Sequence, residues 1–273
     1  LNLAQSFNAL GTAIPPSLGA IFILSDHIKS SEEINLLAPL EKEKYMAAEA
    51  LAVQNPFLVL ATVLILLALV VVFVKLPALL GKSNSGNYRS ALSQKDLSFG
   101  AIAIFVYVGA EVAVGSYLVS YFLDTNMVEQ IRSNEFTSRF AYSILQQDIQ
   151  EVDGKAIVGS FVILYWSGAM VGRFIGSYLT ASFKPEKVLS IFALGAVSFL
   201  VLTMISSGLP SMFFILAVGL FNSIMFPTIF SLAIEQLGEL KPEGSGILCT
   251  AIAGGAFIPP LYGLATDFVS FKP

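Results

Sequence analysis

Charge is scarce in these 273 residues. Asp, Glu, Lys and Arg make up 12% of the chain, while hydrophobic residues make up 55%. A soluble domain carries about 25% charged residues, because its surface must be wetted. A chain of about 270 residues cannot bury this much apolar side chain in a core of its own. The deficit therefore excludes a water-soluble globule and points to a surface that faces lipid. Cysteine is almost missing. The single Cys249, in an apolar stretch, excludes a disulfide framework and a thiolate metal cluster. The single histidine, His27, lies in a polar stretch, so an imidazole metal site lacks its ligands. Neither a metal nor a cofactor is expected. The net charge of −4 argues against a nucleic-acid partner. Gly81-Lys82-Ser83 resembles the end of a phosphate-binding loop, but Leu76 stands where that loop needs its first glycine. A polar connector is the simpler reading.

What the chain does have is long apolar runs. A bilayer core about 30 Å thick is crossed by about 20 helical residues. A span in lipid must also satisfy its own backbone, so each such run is expected to be a helix. Residues 1–25 carry no charge, and 56–74 are apolar except Thr62. Residues 98–123 contain one charge, Glu111, and 156–182 contain one, Arg173. The uncharged run 188–234 is too long for one crossing and is expected to fold back at Ser206-Ser207-Gly208-Leu209-Pro210. With 244–266, this predicts seven spans: 1–25, 56–75, 98–123, 156–182, 188–206, 211–234 and 244–266. The segments 26–55, 76–97 and 124–155 read as polar connectors.

Alternating sides place 26–55, 124–155 and the turn at 207–210 on one face. The other face holds Lys75, Lys82, Arg89, Lys95, Arg173, Lys184, Lys187 and Lys241 in roughly 45 residues, against seven basic residues over about 75. That density of positive charge puts the 76–97 connector in the cytoplasm. The chain opens on Leu1 within an apolar run and shows no targeting segment. An odd number of spans between two abrupt ends predicts a fragment of a longer protein.

Polar groups inside a bilayer are costly and tend to face a bundle interior or a watery cavity. Asn2, Gln5, Asn8 and Thr12 fall on one stripe of the first span. Uncharged amides and hydroxyls in a line suit a polyhydroxylated ligand, although helices also use them to bond each other. Glu111 lies near the middle of its span, with Tyr107 one turn before it and Gly115 one turn after. An apolar setting disfavours the charged form of a carboxyl, which would allow proton uptake and release. The same group could instead bind a sugar hydroxyl or pair across helices. Gly168, Gly172 and Gly176 recur every four residues and form a face for close helix contact. Arg173 beside them reads either as an interfacial anchor, its stem snorkelling outward, or as half of a gate ion pair. Pro15-Pro16, Pro227 and Pro259-Pro260 remove backbone hydrogen bonds inside spans, as in helices bent or broken beside a transport site. Trp166, Phe221 and Phe226 could stack on a sugar ring, with core packing the commoner role of such residues.

At these residues the chain resembles a known family. N-L-A-Q-S-F-N-A-L-G (2–11) is similar to the fifth helix of the fucose/glucose–galactose permease family of the major facilitator superfamily. Y-V-G-A-E-V-A-V-G-S-Y (107–117) resembles the seventh and G-A-M-V-G-R-F-I-G (168–176) the eighth. F-N-S-I-M-F-P-T-I-F-S-L (221–232) and G-G-A-F-I-P-P-L-Y-G (254–263) resemble the tenth and eleventh. The resemblance implies an all-α membrane protein with a partial major facilitator fold, seven of twelve transmembrane helices. Residues 1–75 would end the amino-terminal half, 76–97 would be the cytoplasmic connector, and 98–273 would form the carboxyl-terminal half. It also implies uptake of a hexose with a proton, or with sodium, by a monomer in the bacterial inner membrane. The acid in Y-V-G-A-E-V resembles the glucose/galactose members, and a fucose permease is the alternative within the family. Carried over by motif, Gln5, Asn8, Glu111 and Asn222 should face the sugar, joined by their neighbours Asn2 and Tyr107. Arg173 and Glu235 should form the gate ion pair at the cytoplasmic ends of the eighth and tenth helices. The coupling acids would lie in helices ahead of this segment.

Two other classes are weaker. A seven-helix retinal protein needs a lysine within its last span, and 244–266 has none. A membrane enzyme would need a cluster of acids or histidines within its spans, which this sequence lacks.

Overall fold

A computed structural model describes residues 38–74 and 87–269, which belong to two separate units. The first unit contributes one described helix, α1, Pro39–Phe73. Pro39 opens it with a preset φ, and Glu41 in the first turn complements the positive end of the helix. Its second half, Phe57–Phe73, is apolar and lies within the span expected at 56–75. The side chains described there are exposed, as expected for a helix solvated by lipid. The segment 26–55, read as a connector, is helical from Pro39 onward. Residues 46–52 (MAAEALA) are nearly all strong helix formers, so the helix continues beyond its apolar part. The expected span 1–25 lies outside the described residues.

The second unit is helical throughout its regular structure. Two short helices and one long one come first: α2 (Tyr88–Leu92), α3 (Lys95–Asp124) and α4 (Met127–Ser133). Then follow α5 (Glu135–Leu145), α6 (Gly154–Ser182), α7 (Pro185–Ile205), α8 (Leu209–Asn222) and α9 (Met225–Glu235). A single 3₁₀ turn, Gly238–Leu240, leads into α10 (Lys241–Ala251) and α11 (Gly254–Val269). Among the described residues, five stretches are long and apolar enough to cross a membrane: Lys95–Asp124, Gly154–Ser182, Pro185–Ile205, Leu209–Glu235 and Gly238–Thr266. They match the spans expected at 98–123, 156–182, 188–206, 211–234 and 244–266, so the chain is a multi-pass membrane protein. The last two spans are each built from two helices with a break between.

Turn chemistry accounts for the boundaries. Pro185, Pro210 and Pro242 sit in the first turns of α7, α8 and α10, where a missing N–H costs nothing. The fold-back between α7 and α8 runs through Gly208 at φ 70° and ψ −152°, a conformation nearly closed to other residues. A Cβ at Gly208 would also strike Gln130 of α4.

The segment 124–155 is not an open connector. It folds into α4 and α5 and closes one end of the bundle. The Asn134 side chain accepts from the Phe136 and Thr137 amides at 3.1 Å and caps α5. Arg132 donates to the carbonyls of Ile149 and Val152, at 3.2 and 3.0 Å, and holds down the return loop. Met127, Ile131, Ala141 and Ile149 are buried beneath, in one cluster with Phe122 and Phe161. Charges at 129, 135 and 139 face outward and, with Arg132, disguise this apolar stripe in the sequence.

Besides a small cluster of Val188, Phe192 and Ile224, two core clusters are strung along α3. Leu118 and Phe122 enter the cluster under the α4–α5 cap, together with Ile157, Phe161, Tyr165, Met212 and Leu216. Leu97 and Ile104 enter a second cluster, with Ala91, Ala233, Leu237 and Leu248, at the other end. Fourteen residues separate Ile104 from Leu118, or about 21 Å of helix. Glu111 stands midway.

Candidate functional site

Between the two cores the fifth and fourth crossings are interrupted at similar depth. The α8–α9 crossing breaks after Asn222, where Ser223 is helical but Ile224 turns to φ −102°, ψ −3°. Pro227, four residues after Ser223, has no N–H to close a helical bond there. The α10–α11 crossing breaks at Ile252 and Ala253, where Gly255 and Ala256 bond back only three residues. Both breaks abut the same stretch of α3. Tyr107 reaches the first, and a Cβ on Gly254 would run into the Phe105 carbonyl at the second. Gly109 is equally hemmed in, by Ile258. Small residues thus let α11 lie directly on α3.

At the first break four polar residues gather. The Tyr107 hydroxyl donates to the Asn222 carbonyl at 2.7 Å. The Asn222 side-chain amide, in a residue only 8% exposed, donates to the Tyr165 hydroxyl at 3.0 Å. Glu111, one turn beyond Tyr107, interacts with the Tyr107 side chain and with the charge of Arg173. A carboxylate has about four acceptor positions, so beside Tyr107 the Glu111 oxygens keep acceptor capacity for another donor. The Trp166 ring packs on Gly115, one further turn along α3, and meets Tyr165 edge-on with centroids 5.3 Å apart. Phe221 turns the other way, into a cluster with Phe192 and Phe199, and Phe226 pairs with Phe230. Those two phenylalanines serve packing.

The glycine stripe of α6 meets the break as a backbone contact. A Cβ on Gly172 would collide with the Leu220 carbonyl, and one on Gly176 with Ile224. Gly168 sits against the Leu220 amide at 3.4 Å from its ideal Cβ. On the facing helix a Cβ on Gly219 would strike the Tyr165 carbonyl. This approach carries Arg173 to mid-membrane depth, where its Nε donates to the Ser223 carbonyl at 3.0 Å.

The structure therefore brings Tyr107, Glu111 and Asn222 together. Asn2, Gln5 and Asn8 lie outside the described residues. Two ion pairs are seen, Arg132–Glu129 and Arg139–Glu135. Glu235, the expected gate partner of Arg173, is exposed and twelve residues past Ser223, about 18 Å along the helix. Tyr165 is a site residue that sequence reasoning passed over. Its signal was its place at 165, on the same face of α6 as Ala169, Gly172 and Gly176.

Comparison with known proteins agrees on one family. No family model matches the chain. A Helicobacter pylori protein provisionally named a glucose/galactose transporter is 39% identical over 271 residues, which is 99% of this chain and 58% of the relative. The glucose/galactose transporter of Brucella abortus is 38% identical over 275 residues, 98% of this chain and 57% of that protein. The L-fucose-proton symporter of Escherichia coli is 31% identical over 276 residues, 98% of this chain and 58% of that one. The crystal structure of the Escherichia coli fucose:proton symporter superposes with a TM-score of 0.73 at 27% identity, over 99% of this chain and 63% of the other. The chain belongs to the fucose/glucose–galactose permease family of the major facilitator superfamily. It spans less than two thirds of the length of these permeases. The helices of its second unit are thus part of a major facilitator fold.

Proposed function

We propose that this chain is part of a secondary transporter that takes up a hexose, glucose or galactose, together with a proton across the bacterial inner membrane. The observation that carries this reading is the polar set Tyr107–Glu111–Tyr165–Asn222 at a helix break midway between two apolar cores. A sugar enters such a place only if its hydroxyls are matched, since each unmatched polar group costs roughly 1–3 kcal/mol. Amide, phenol and carboxyl groups offer donors and acceptors together. Discontinuous helices at mid-depth are a recurrent setting for transport sites. The names of the relatives, glucose/galactose transporter and L-fucose-proton symporter, agree with the substrate class and the coupling ion.

In this reading residues 98–273 belong to the carboxyl-terminal half, 1–75 end the amino-terminal half, and 76–97 connect them in the cytoplasm. Gln5, Asn8 and Asn2 of the amino-terminal half contribute to sugar binding together with Tyr107, Glu111 and Asn222. The protein acts as a monomer and needs neither metal nor cofactor. Glucose and galactose are preferred to fucose because the glucose/galactose transporters share more of this sequence, 39% and 38%, than the fucose symporter at 31%.

Uptake of labelled galactose by cells lacking their own hexose permeases tests the reading. Accumulation should follow an imposed proton gradient and be competed by glucose far better than by fucose. Dependence on sodium in place of the proton gradient would change the coupling ion. Preferential competition by fucose would reassign the substrate, and no sugar uptake at all would refute the proposal.

A further inference from the structure

Two consecutive carbonyls at the α8–α9 break are met by side chains from two other helices. Asn222 O accepts from the Tyr107 hydroxyl of α3, at 2.7 Å, and Ser223 O accepts from Arg173 Nε of α6, at 3.0 Å. The backbone donor that a continuous helix would supply to Ser223 O is the N–H of residue 227, which is proline. A buried carbonyl left without a donor is costly, and Ser223 is only 1% exposed. The approach is built for this bond. Gly172 has no room for a Cβ, which would collide with the Leu220 carbonyl and lie 2.5 Å from Ser223 Oγ. The α6 backbone is therefore pressed against the break, and the inner nitrogen of the guanidinium reaches the carbonyl.

We infer that Arg173 is a positioning residue: it supplies to the Ser223 carbonyl the hydrogen bond that Pro227 cannot, and so holds the break in the form that presents Asn222. Its role is a cap on a broken helix. The bond to the break stands on geometry alone. The consequence for ligand binding rests on the reading of Asn222 as sugar-facing.

Side-chain length supplies the test. In Arg173→Gln the amide nitrogen occupies the same place along the chain as Nε, so a neutral donor is kept. Arg173→Met puts a methyl group at that place. Pro227→Ala restores the backbone N–H. The full-length protein, solubilised in detergent, is compared for thermal unfolding and for labelled galactose binding across these variants and the Met/Ala and Gln/Ala pairs. Arg173→Met should lower the melting temperature by several degrees and weaken galactose binding roughly tenfold, the equivalent of one hydrogen bond. Arg173→Gln should keep most of both. In the Pro227→Ala background Arg173→Met should cost much less stability than in the wild type, because the helix then provides its own donor. Equal losses for Met and Gln, or the same loss for Met in both backgrounds, would overturn the inference. If the wild-type protein binds no galactose, the reading of function fails, while the melting-temperature cycle still decides the role of Arg173.

Discussion

Glu111 shows how one residue carries alternatives that geometry narrows. It lies seven residues from Ile104 and seven from Leu118, the ends of the two cores, beside the Tyr107 hydroxyl that also reaches Asn222 O. Glu111→Gln keeps the shape and an acceptor oxygen but cannot titrate. In full-length protein it should keep sugar exchange and pH-driven uptake, with affinity reduced roughly tenfold by loss of a charge-assisted bond. Glu111→Leu should abolish binding. Exchange that survives in the Gln variant while pH-driven accumulation disappears would instead make Glu111 the proton carrier. Unchanged transport in both variants would exclude either role. The sequence marked Glu111, Tyr107 and Asn222 because polar residues are rare within apolar spans. It could not mark Tyr165, since a tyrosine in an aromatic run looks the same whether its hydroxyl meets lipid headgroups or an asparagine. Nor could it aim Arg173, because snorkelling, ion pairing and carbonyl capping all use the same residue type at the same depth.

Among helices, the apolar runs placed every crossing of the second unit, since a span must be long and apolar whatever it packs against. They failed at 124–155 and at 39–55, where helices form outside the membrane and obey propensity and amphipathic spacing instead. The breaks were legible as prolines, but which neighbour fills each one was not, because that depends on tertiary approach. The α6–α8 contact offers a direct measurement of this approach. Gly159 and Gly172 lie in the same helix, yet a Cβ at Gly159 meets nothing within 4 Å, while one at Gly172 meets a backbone carbonyl. Gly159→Ala should leave stability unchanged or raise it by roughly 0.5–1 kcal/mol through helix propensity. Gly172→Ala should lower it by about 1–3 kcal/mol through overpacking, and should impair transport. Thermal unfolding of the purified variants reads both. Equal effects at the two positions would mean that the helices do not touch at the break.

On the scale of the whole molecule, alternation of spans sets sides. Within the second unit the α4–α5 cap and the Gly208 fold-back lie at one end, where Gln130 meets Gly208. The α6–α7 and α9–α10 turns lie at the other, which holds Lys184, Lys187 and Lys241. Basic residues concentrate on the cytoplasmic side of membrane proteins, so the cap should face the opposite, non-cytoplasmic side. Cys249 is the single cysteine, and its replacement by serine would clear the background for labelling. Ser138, in the exposed-charge helix α5, and Glu186, at the start of α7, can then each be changed to cysteine. In intact cells a membrane-impermeant maleimide should label Ser138→Cys and spare Glu186→Cys, and after lysis it should label both. The reverse pattern would invert the orientation. Labelling of both in intact cells would break the alternation itself, and with it the five crossings from which the site between the two cores is built.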